Sequence, residues 1–199
     1  MLSDKEPEKA VTTHPAVVRG IIRLVRKAGG RPSVGDSPAS AVKLAQVWER
    51  TGMRALCEEE GVPLLNLEKA GSRSFTVAGA QFNIAQAVLD ADVVINVPKV
   101  KTHALTVLTA GVKNLYGCVP GYQKTHLHKI HPRPDDFGHM LVGILATVKP
   151  ALTIADGVAA MDGEGPSAGK PYRLGILAAS ADPAALDLVE RAMSVDPAG

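Results

Sequence analysis

The chain has 199 residues, of which 46% are hydrophobic and 21% charged, as is usual for a globular protein. Its 22 basic and 20 acidic residues leave a formal charge of +2, which argues against nucleic acid and a membrane surface as partners. Two cysteines cannot supply four thiolates, so we expect no iron–sulfur cluster in this chain. The polar N-terminus and the lack of a long apolar run predict a cytoplasmic protein.

The first half of the sequence alternates between helix and strand patterns. The apolar spacing in "HPAVVRGIIRLVRKAGG" predicts a helix that ends at two glycines. A short strand in "RPSVGDSP" precedes a helix in "AVKLAQVWERTGMRALCEEEG" that is interrupted or ends near Gly52. A second strand is predicted in "VPLLNLE", followed by an irregular or hairpin segment from Lys69 to Phe82.

The second half continues this alternation. A short helix is predicted in "NIAQAVLDAD", and the apolar run "VVINVP" is typical of a parallel strand covered on both faces. A helix from Asp135 to Val148 is ended by Pro150. Two strands, "ALTIADG" and "RLGILAAS", precede the closing helix "DPAALDLVERAMSV". The pattern predicts a single α/β domain over residues 1–199, with a mostly parallel open sheet and helices on both faces.

Polar residues collect where the predicted strands end, which is where ligands bind in open parallel sheets. The segment "KVKTH" is the most unusual of these, because Lys99, Lys101 and His103 would point to one side if it stays extended. Such a row would hold a phosphate or carboxylate, and a desolvated lysine there could act as a base or Schiff-base nucleophile. The alternative is a solvated loop whose lysines only keep the protein soluble.

The segment "DGVAAMDGEGPSAGKP" is the second unusual stretch, because its glycines and prolines prevent regular structure. Its carboxylates, Asp156, Asp162 and Glu164, could bind a hard cation or serve as acid and base. Gly163 and Gly165 would let backbone N–H groups approach a ligand closely. The segment matches neither a Walker loop nor a dinucleotide fingerprint, and a long hairpin-like excursion explains it equally well.

Three histidines, His126, His128 and His131, cluster in "KTHLHKIHPRP" and could bind zinc or nickel. Their spacing matches no strong metal motif, and the neighbouring Lys124 and Lys129 would repel a cation. The sequence therefore favours a basic, anion-facing or solvated loop and leaves metal binding open.

Several of these segments resemble a known family. "NVPKVKTHALTVLTAGVKNLYGCVPG", "DGVAAMDGEGPSAGKP" and "ASADPAALD" are similar to the family called domain of unknown function 362. The resemblance also takes in "TTHPAVVRGIIRLVRKAGG" and "VGDSP", so it covers nearly the whole chain. It implies a bacterial or archaeal α/β protein and specifies no substrate.

The resemblance also bears on completeness and partners. Relatives have a further strand before the N-terminal segment and continue beyond the last helix, which implies that this chain is incomplete at both ends and lacks a first strand. A missing strand would expose a sheet edge. Some relatives carry ferredoxin-type modules, which implies a separate iron–sulfur protein as a partner, and the exposed edge would favour a homo-oligomer.

The sequence therefore predicts an α/β protein that binds an anionic small molecule at its strand ends and that could be an enzyme. The expected catalytic residues are Lys99, Lys101, His103, Asp156 and Glu164. The expected ligand-binding residues are Asp36, Ser37, Asn96, Thr102, Lys113, Asn114, Gly163 and Gly165. One alternative is an electron-transfer accessory that docks an iron–sulfur protein on the basic face from Lys124 to Arg133. Another is a fragment that folds poorly.

Overall fold

The computed structural model describes residues 3–38, 43–69, 71–103 and 107–194. Short 3₁₀ helices lie at Pro7–Lys9 and Leu115–Cys118. The α-helices of these residues are α1 (Pro15–Lys27), α2 (Leu44–Arg50), α3 (Met53–Glu60), α4 (Gln86–Leu89), α5 (Gly111–Asn114), α6 (Gly121–Ile130), α7 (Pro134–Val148) and α8 (Pro183–Ser194). The strands are β1 (Val34–Asp36), β2 (Leu64–Asn66), β3 (Ser72–Val77), β4 (Ala80–Ala85), β5 (Ile95–Asn96), β6 (Lys99–His103), β7 (Val107–Thr109), β8 (Leu152–Asp162), β9 (Lys170–Tyr172) and β10 (Ile176–Ser180).

The strands of the described residues form one larger sheet and two small ones. The larger sheet has the order β10-β8-β6-β7, with β5 and β9 also paired to β8. The pairs β6–β8, β5–β8 and β1–β2 are parallel, whereas β7, β9 and β10 join their neighbours antiparallel. The hairpin β3–β4 forms a separate two-stranded antiparallel sheet. The α/β class is confirmed. The central pair β6–β8 of the larger sheet is parallel, and β7, β9 and β10 add antiparallel pairs around it.

Several predicted boundaries shift. Gly52, with a φ of 73°, separates α2 from α3 at the predicted interruption. The predicted helix 83–92 is wrong in its first part, because β4 runs through Ala85 and buries Ile84 in the hairpin. The predicted strand "VVINVP" shrinks to Ile95–Asn96, and the strand "ALTIADG" lengthens to become β8.

The largest apolar core lies between the β3–β4 hairpin and α7. Phe82 and Ile84 of β4 pack there with Phe137, Met140 and Ile144 of α7, all almost fully buried. The 3₁₀ turn after α5 joins this core through Leu115 and Tyr116. The helix α5 is therefore anchored on the apolar core at its C-terminal end.

The central strand β8 is covered from two directions. Ala155 and Ala160 pack with Leu186 of α8, whereas Met161 packs with Ala10 and Val11 of the N-terminal segment. The register of β8 against β6 shifts between Lys99 and Lys101, which pair with residues five apart on β8. The N-terminal segment and the shifted register place buried lysines beside β8.

Candidate functional site

Lys99 and Asp156 form an ion pair at the centre of the sheet. Lys99 Nζ lies 2.8 Å from Asp156 Oδ2, and the two residues are 3% and 0% exposed. The same oxygen accepts the backbone N–H of His14 at 2.8 Å, and Oδ1 accepts that of Val158 at 3.2 Å. Burial lowers the pKa of Lys99, and the Asp156 carboxylate opposes that shift. The pair holds the N-terminal segment, β6 and β8 together.

Lys101 lies two residues further along β6 and is 5% exposed. Its ammonium donates to the carbonyl oxygen of Val11 at 2.7 Å. Burial, together with the charge of Lys99, lowers the pKa of Lys101 to about 8. In the described part of the chain Lys101 forms no ion pair with a carboxylate.

Lys113 projects from α5 onto aromatic rings. Its ammonium lies 4.6 Å from the ring centre of Phe137 and 5.3 Å from that of Tyr116. Burial lowers the pKa of Lys113 to about 8, with contributions from the charges of Lys101 and Lys124. Rings attract a cation but carry no net charge, so they leave the charge of Lys113 uncompensated.

Two hydrogen-bond networks fix α5 in place. The Asp187 carboxylate of α8 accepts the backbone N–H groups of Gly111 at 2.5 Å and Val112 at 3.0 Å. Asn96 donates to the Gly111 carbonyl at 2.8 Å, and Asn114 donates to Asn96 Oδ1 at 2.8 Å. Asn96 and Asn114 are therefore positioned to hold the helix that presents Lys113.

Two residues of α6 extend the group of basic side chains. Lys124 donates to the carbonyl oxygen of Ser37 and lies 5.6 Å from the ring centre of Tyr116. Burial lowers the pKa of Lys124 to about 8. His128 stacks on Phe137 at 4.6 Å, and burial together with the nearby lysine charges lowers its pKa. We call Lys101, His103, Lys113, Lys124 and His128 the basic cluster.

His103 is the member of the basic cluster at the end of β6. Burial, together with the charges of Lys113, Lys101 and His128, lowers its pKa to about 4. These influences place each of the five groups within electrostatic range of at least two others. His103 is therefore neutral at pH 7, whereas the three lysines are mostly charged.

The ends of β1 and β2 reach this cluster through Lys124. Asp36 accepts the N–H of Ser37 at 2.7 Å, and the Ser37 hydroxyl lies 3.4 Å from Glu68. Gly117 lies so close to Asp36 that an added Cβ would be 2.6 Å from its Oδ1. The predicted residues Asp36 and Ser37 are thus joined to the basic cluster by way of Lys124.

The glycine loop packs beside β6. The Thr102 hydroxyl donates to the Gly163 carbonyl at 2.9 Å, and Gly165 lies against the Thr102 carbonyl, where a Cβ would not fit. Glu164 is exposed on the loop, and its carbonyl accepts the N–H of Ala168. The loop therefore contacts the site through backbone at its glycines, while the Glu164 side chain faces outward.

The sequence pointed to most, but not all, of this arrangement. Lys124 and His128 were interpreted as part of a docking face or metal cluster, whereas both face Tyr116 or Phe137. Their i, i+4 spacing on one helix was the signal that could have placed them together. Arg133, on the predicted docking face, is exposed and pairs with Asp136 at 2.8 Å. Among the residues described, no three His, Cys, Asp or Glu side chains could hold a metal ion.

Open pockets lie elsewhere on the molecule. One is lined by residues of α2, α3 and β2, including Trp48 and Arg54, and another by residues around α4 and the end of α7. Neither contains a member of the basic cluster. We assign the candidate site by its chemistry rather than by surface shape, because the cluster gathers desolvated charges and the pockets do not.

The comparison with protein families decides the membership of this chain. A family model described as Domain of unknown function (DUF362) matches residues 1–190. The chain belongs to the DUF362 family. The resemblance seen in its sequence motifs is thereby confirmed, and the basic cluster is a feature of a DUF362 chain.

Two individual proteins are similar to this DUF362 chain. The thylakoid-associated protein sll1697 of Synechocystis sp. is 40% identical over 202 residues, covering all of this chain and 62% of the relative. The lactate racemase apoprotein of Thermoanaerobacterium thermosaccharolyticum is similar in structure, with a TM-score of 0.62 and 12% identity. That match covers 93% of this chain and 46% of the racemase chain, and at such low identity it shows the fold alone.

The chain therefore spans about three-fifths of the length of its curated relative. In the described ranges, no helix is long and apolar enough to cross a membrane.

Proposed function

We propose that this protein binds a small anionic molecule at the basic cluster. The observation that supports the proposal is the burial of lysine charges that meet a carbonyl oxygen or aromatic rings instead of carboxylates. Burying an uncompensated charge costs several kcal/mol, roughly as much as a small protein's margin of stability allows. An anionic ligand would supply the missing counter-charge, so its binding energy would offset that cost.

The members of the basic cluster differ in accessibility, which suggests how a ligand would contact them. Lys113 and Lys124 are partly buried, so a ligand could reach them from outside, whereas Lys101 lies deeper. Lys113 would hold the anion at the entrance, and Asn114 would keep α5 in place through Asn96. Lys99 and Asp156 would form the rigid floor.

The same groups could also support catalysis by proton transfer. A lysine whose pKa is about 8 is roughly one-tenth neutral at pH 7 and can accept a proton. His103, neutral at that pH, could take part as a second base. The catalytic roles predicted for Lys99, Lys101, His103, Asp156 and Glu164 stay predictions. The structural neighbour is named a lactate racemase, and lactate is a small carboxylate anion of the kind proposed as the ligand.

Isothermal titration calorimetry tests the proposal, with a panel of sulfate, acetate, lactate and methyl phosphate at constant ionic strength. We expect at least one anion to bind the wild-type chain and to lose about tenfold or more in affinity in Lys113→Met. Lys129→Met is the matched control, because Lys129 is an exposed lysine of α6 and should leave binding unchanged. Equal affinities in all three proteins would contradict the proposal.

The predicted cytoplasmic location needs its own test, since the name of the curated relative associates that protein with thylakoids. Fractionation of cells that produce the chain, with washes of increasing salt, would separate a cytoplasmic protein from one that is held at a membrane.

A further inference from the structure

The balance of charges at the basic cluster limits the charge of its ligand. Lys99 is paired with Asp156, and Lys124 lies within the electrostatic influence of Glu68. The remaining lysines, Lys101 and Lys113, have no carboxylate partner in the described part of the chain. Outside the described residues the sequence holds a single acidic residue, Asp196, beyond the last helix. Two positive charges are thus left for a ligand to neutralise.

Buried hydroxyl groups beside Lys101 add unused hydrogen-bonding capacity. Thr109 is the cross-strand partner of Lys101 in the β6–β7 pair, so the two side chains lie on the same face of the sheet. The Thr109 hydroxyl is buried and forms no hydrogen bond to the described residues. The Thr12 hydroxyl is also buried without such a bond, and Thr12 follows Val11, whose carbonyl holds Lys101. Unsatisfied buried hydroxyls are costly, so a ligand that accepted from them would gain affinity.

We infer that the anion bound at the basic cluster is a phosphate monoester in its doubly charged form, held by Lys101, Lys113 and the hydroxyl of Thr109. This inference rests on the proposed function and narrows its ligand class. A phosphate group carries up to two negative charges and three terminal oxygens, which matches two lysines and the nearby hydroxyls. A monocarboxylate has one charge and two oxygens, so it would leave one lysine uncompensated and one donor unused.

The depth of Lys101 implies that the ligand enters past the outer members of the cluster. Lys113 lies over Tyr116 and Phe137 and is only partly buried, so an entering ligand would meet its ammonium before it reached Lys101. The phosphate would then bridge Lys113 and Lys101, with the ester group directed toward solvent.

Calorimetric titration of the full chain with methyl phosphate, sulfate and acetate tests the inference. At pH 7.5 we expect methyl phosphate to bind about tenfold or more tightly than acetate. At pH 5.5 methyl phosphate loses its second charge, because the second pKa of a phosphate ester is about 6, and its affinity should fall several-fold. Sulfate keeps two charges at both pH values, and its affinity should not fall at pH 5.5, because the lysines are more fully protonated there.

Thr109→Val is the decisive variant, because it removes the hydroxyl while keeping the volume of the side chain. We expect it to weaken methyl phosphate about threefold to tenfold and to leave acetate nearly unchanged. Its fold should persist, because the hydroxyl it removes has no hydrogen bond to the described residues. Thr76→Val makes the same substitution at an exposed position of β3, away from the basic cluster, and serves as the control that should leave binding unchanged.

The outcomes separate the inference from the proposed function. Acetate or lactate binding as tightly as methyl phosphate, with loss in Lys113→Met, would overturn the phosphate assignment and leave the anion site standing. Unchanged methyl phosphate affinity in Thr109→Val would overturn the role of Thr109. No heat of binding with any of these anions would overturn both.

Discussion

Two groups of basic residues in this protein meet opposite surroundings. On α1, Arg19 lies 2.5 Å from Glu59, and Arg23 and Arg26 lie 2.8 Å and 3.3 Å from Glu60 of α3. In the basic cluster, lysines are more deeply placed and meet a carbonyl oxygen or aromatic rings. The arginine network compensates its own charges, whereas the charges of the basic cluster lack carboxylate partners among the described residues. The proposed anion would supply the compensation that the surface network already has.

The largest expected effect comes from removing the carboxylate at the centre of the site. Asp156→Asn would leave the 3% exposed ammonium of Lys99 without its counter-charge, and we expect the free energy of unfolding to fall by about 3–5 kcal/mol. Urea unfolding followed by circular dichroism measures the change. The double variant Lys99→Met/Asp156→Asn should recover much of the loss. Failure of the single variant to destabilise the protein would show that the pair is not held as described.

The pH dependence of stability tests whether the lysines of the basic cluster are desolvated. The pKa of Lys113 is about 8 in the fold against 10.5 in the unfolded chain, as it is for Lys101 and Lys124. Between these values the unfolded chain binds more protons than the native one, so stability rises with pH by at most about 1.4 kcal/mol per pH unit for each lysine.

The useful window for this measurement is from pH 8 to about pH 9, because burial raises the pKa of Glu190 to about 7 and that carboxyl acts in the opposite direction below pH 8. Above this window the Cys118 thiol, whose pKa burial raises from 9.0 to about 12, acts in the opposite direction. Urea unfolding without added ligand should show a rising stability in the wild type and a smaller rise in Lys113→Met. Parallel curves for the two proteins would mean that Lys113 is solvated.

Adding a methyl group at Gly117, at the edge of the site, should lower the stability of the protein moderately. In Gly117→Ala the new Cβ would lie 2.6 Å from Asp36 Oδ1, and we expect a loss of about 1–3 kcal/mol with weaker anion binding. Differential scanning calorimetry and titration measure the two quantities. Gly20→Ala in the exposed face of α1, where a Cβ meets no atom within 4 Å, is the control and should stabilise the protein slightly.

The smallest effect is expected in the arginine network of α1 and α3. Glu60→Gln removes the partner of Arg23 and Arg26, whose side chains are 64% and 41% exposed, so water and salt screen their charges although Glu60 itself is 8% exposed. We expect a slight fall in the thermal midpoint that high salt abolishes, with unchanged anion binding. An effect as large as that of Asp156→Asn would remove the contrast between the two groups.

Part of the site could be predicted from the sequence because it follows from strand geometry. Lys99, Lys101 and His103 occupy alternate positions of an extended segment. Strand geometry alone therefore predicts that their side chains point to the same face. Asn96 and Asn114 were predicted as ligand-binding residues, and the structure adds that they bond to each other. That contact joins residues from β5 and α5, and no periodicity in the sequence encodes it.

The remaining parts of the site depend on contacts between distant segments. Val11 reaches Lys101 across 90 positions, and Lys124 reaches Ser37 across 87. Hydrophobic packing of the N-terminal segment on Met161 and of α6 on the hairpin core brings them there. The exposure of Glu164 likewise depends on how the glycine loop folds back on Thr102.

The sequence by itself determined the α/β class, the family, most of the helices and strands, and the row of basic residues on β6. These follow from local periodicity, glycine and proline positions, and short motifs, which act over a few residues. Only the tertiary structure decided which lysine meets a carboxylate and which is left with rings or a carbonyl. Compensation of a charge depends on what lies within a few ångströms in space, and residues far apart in the chain supply those neighbours.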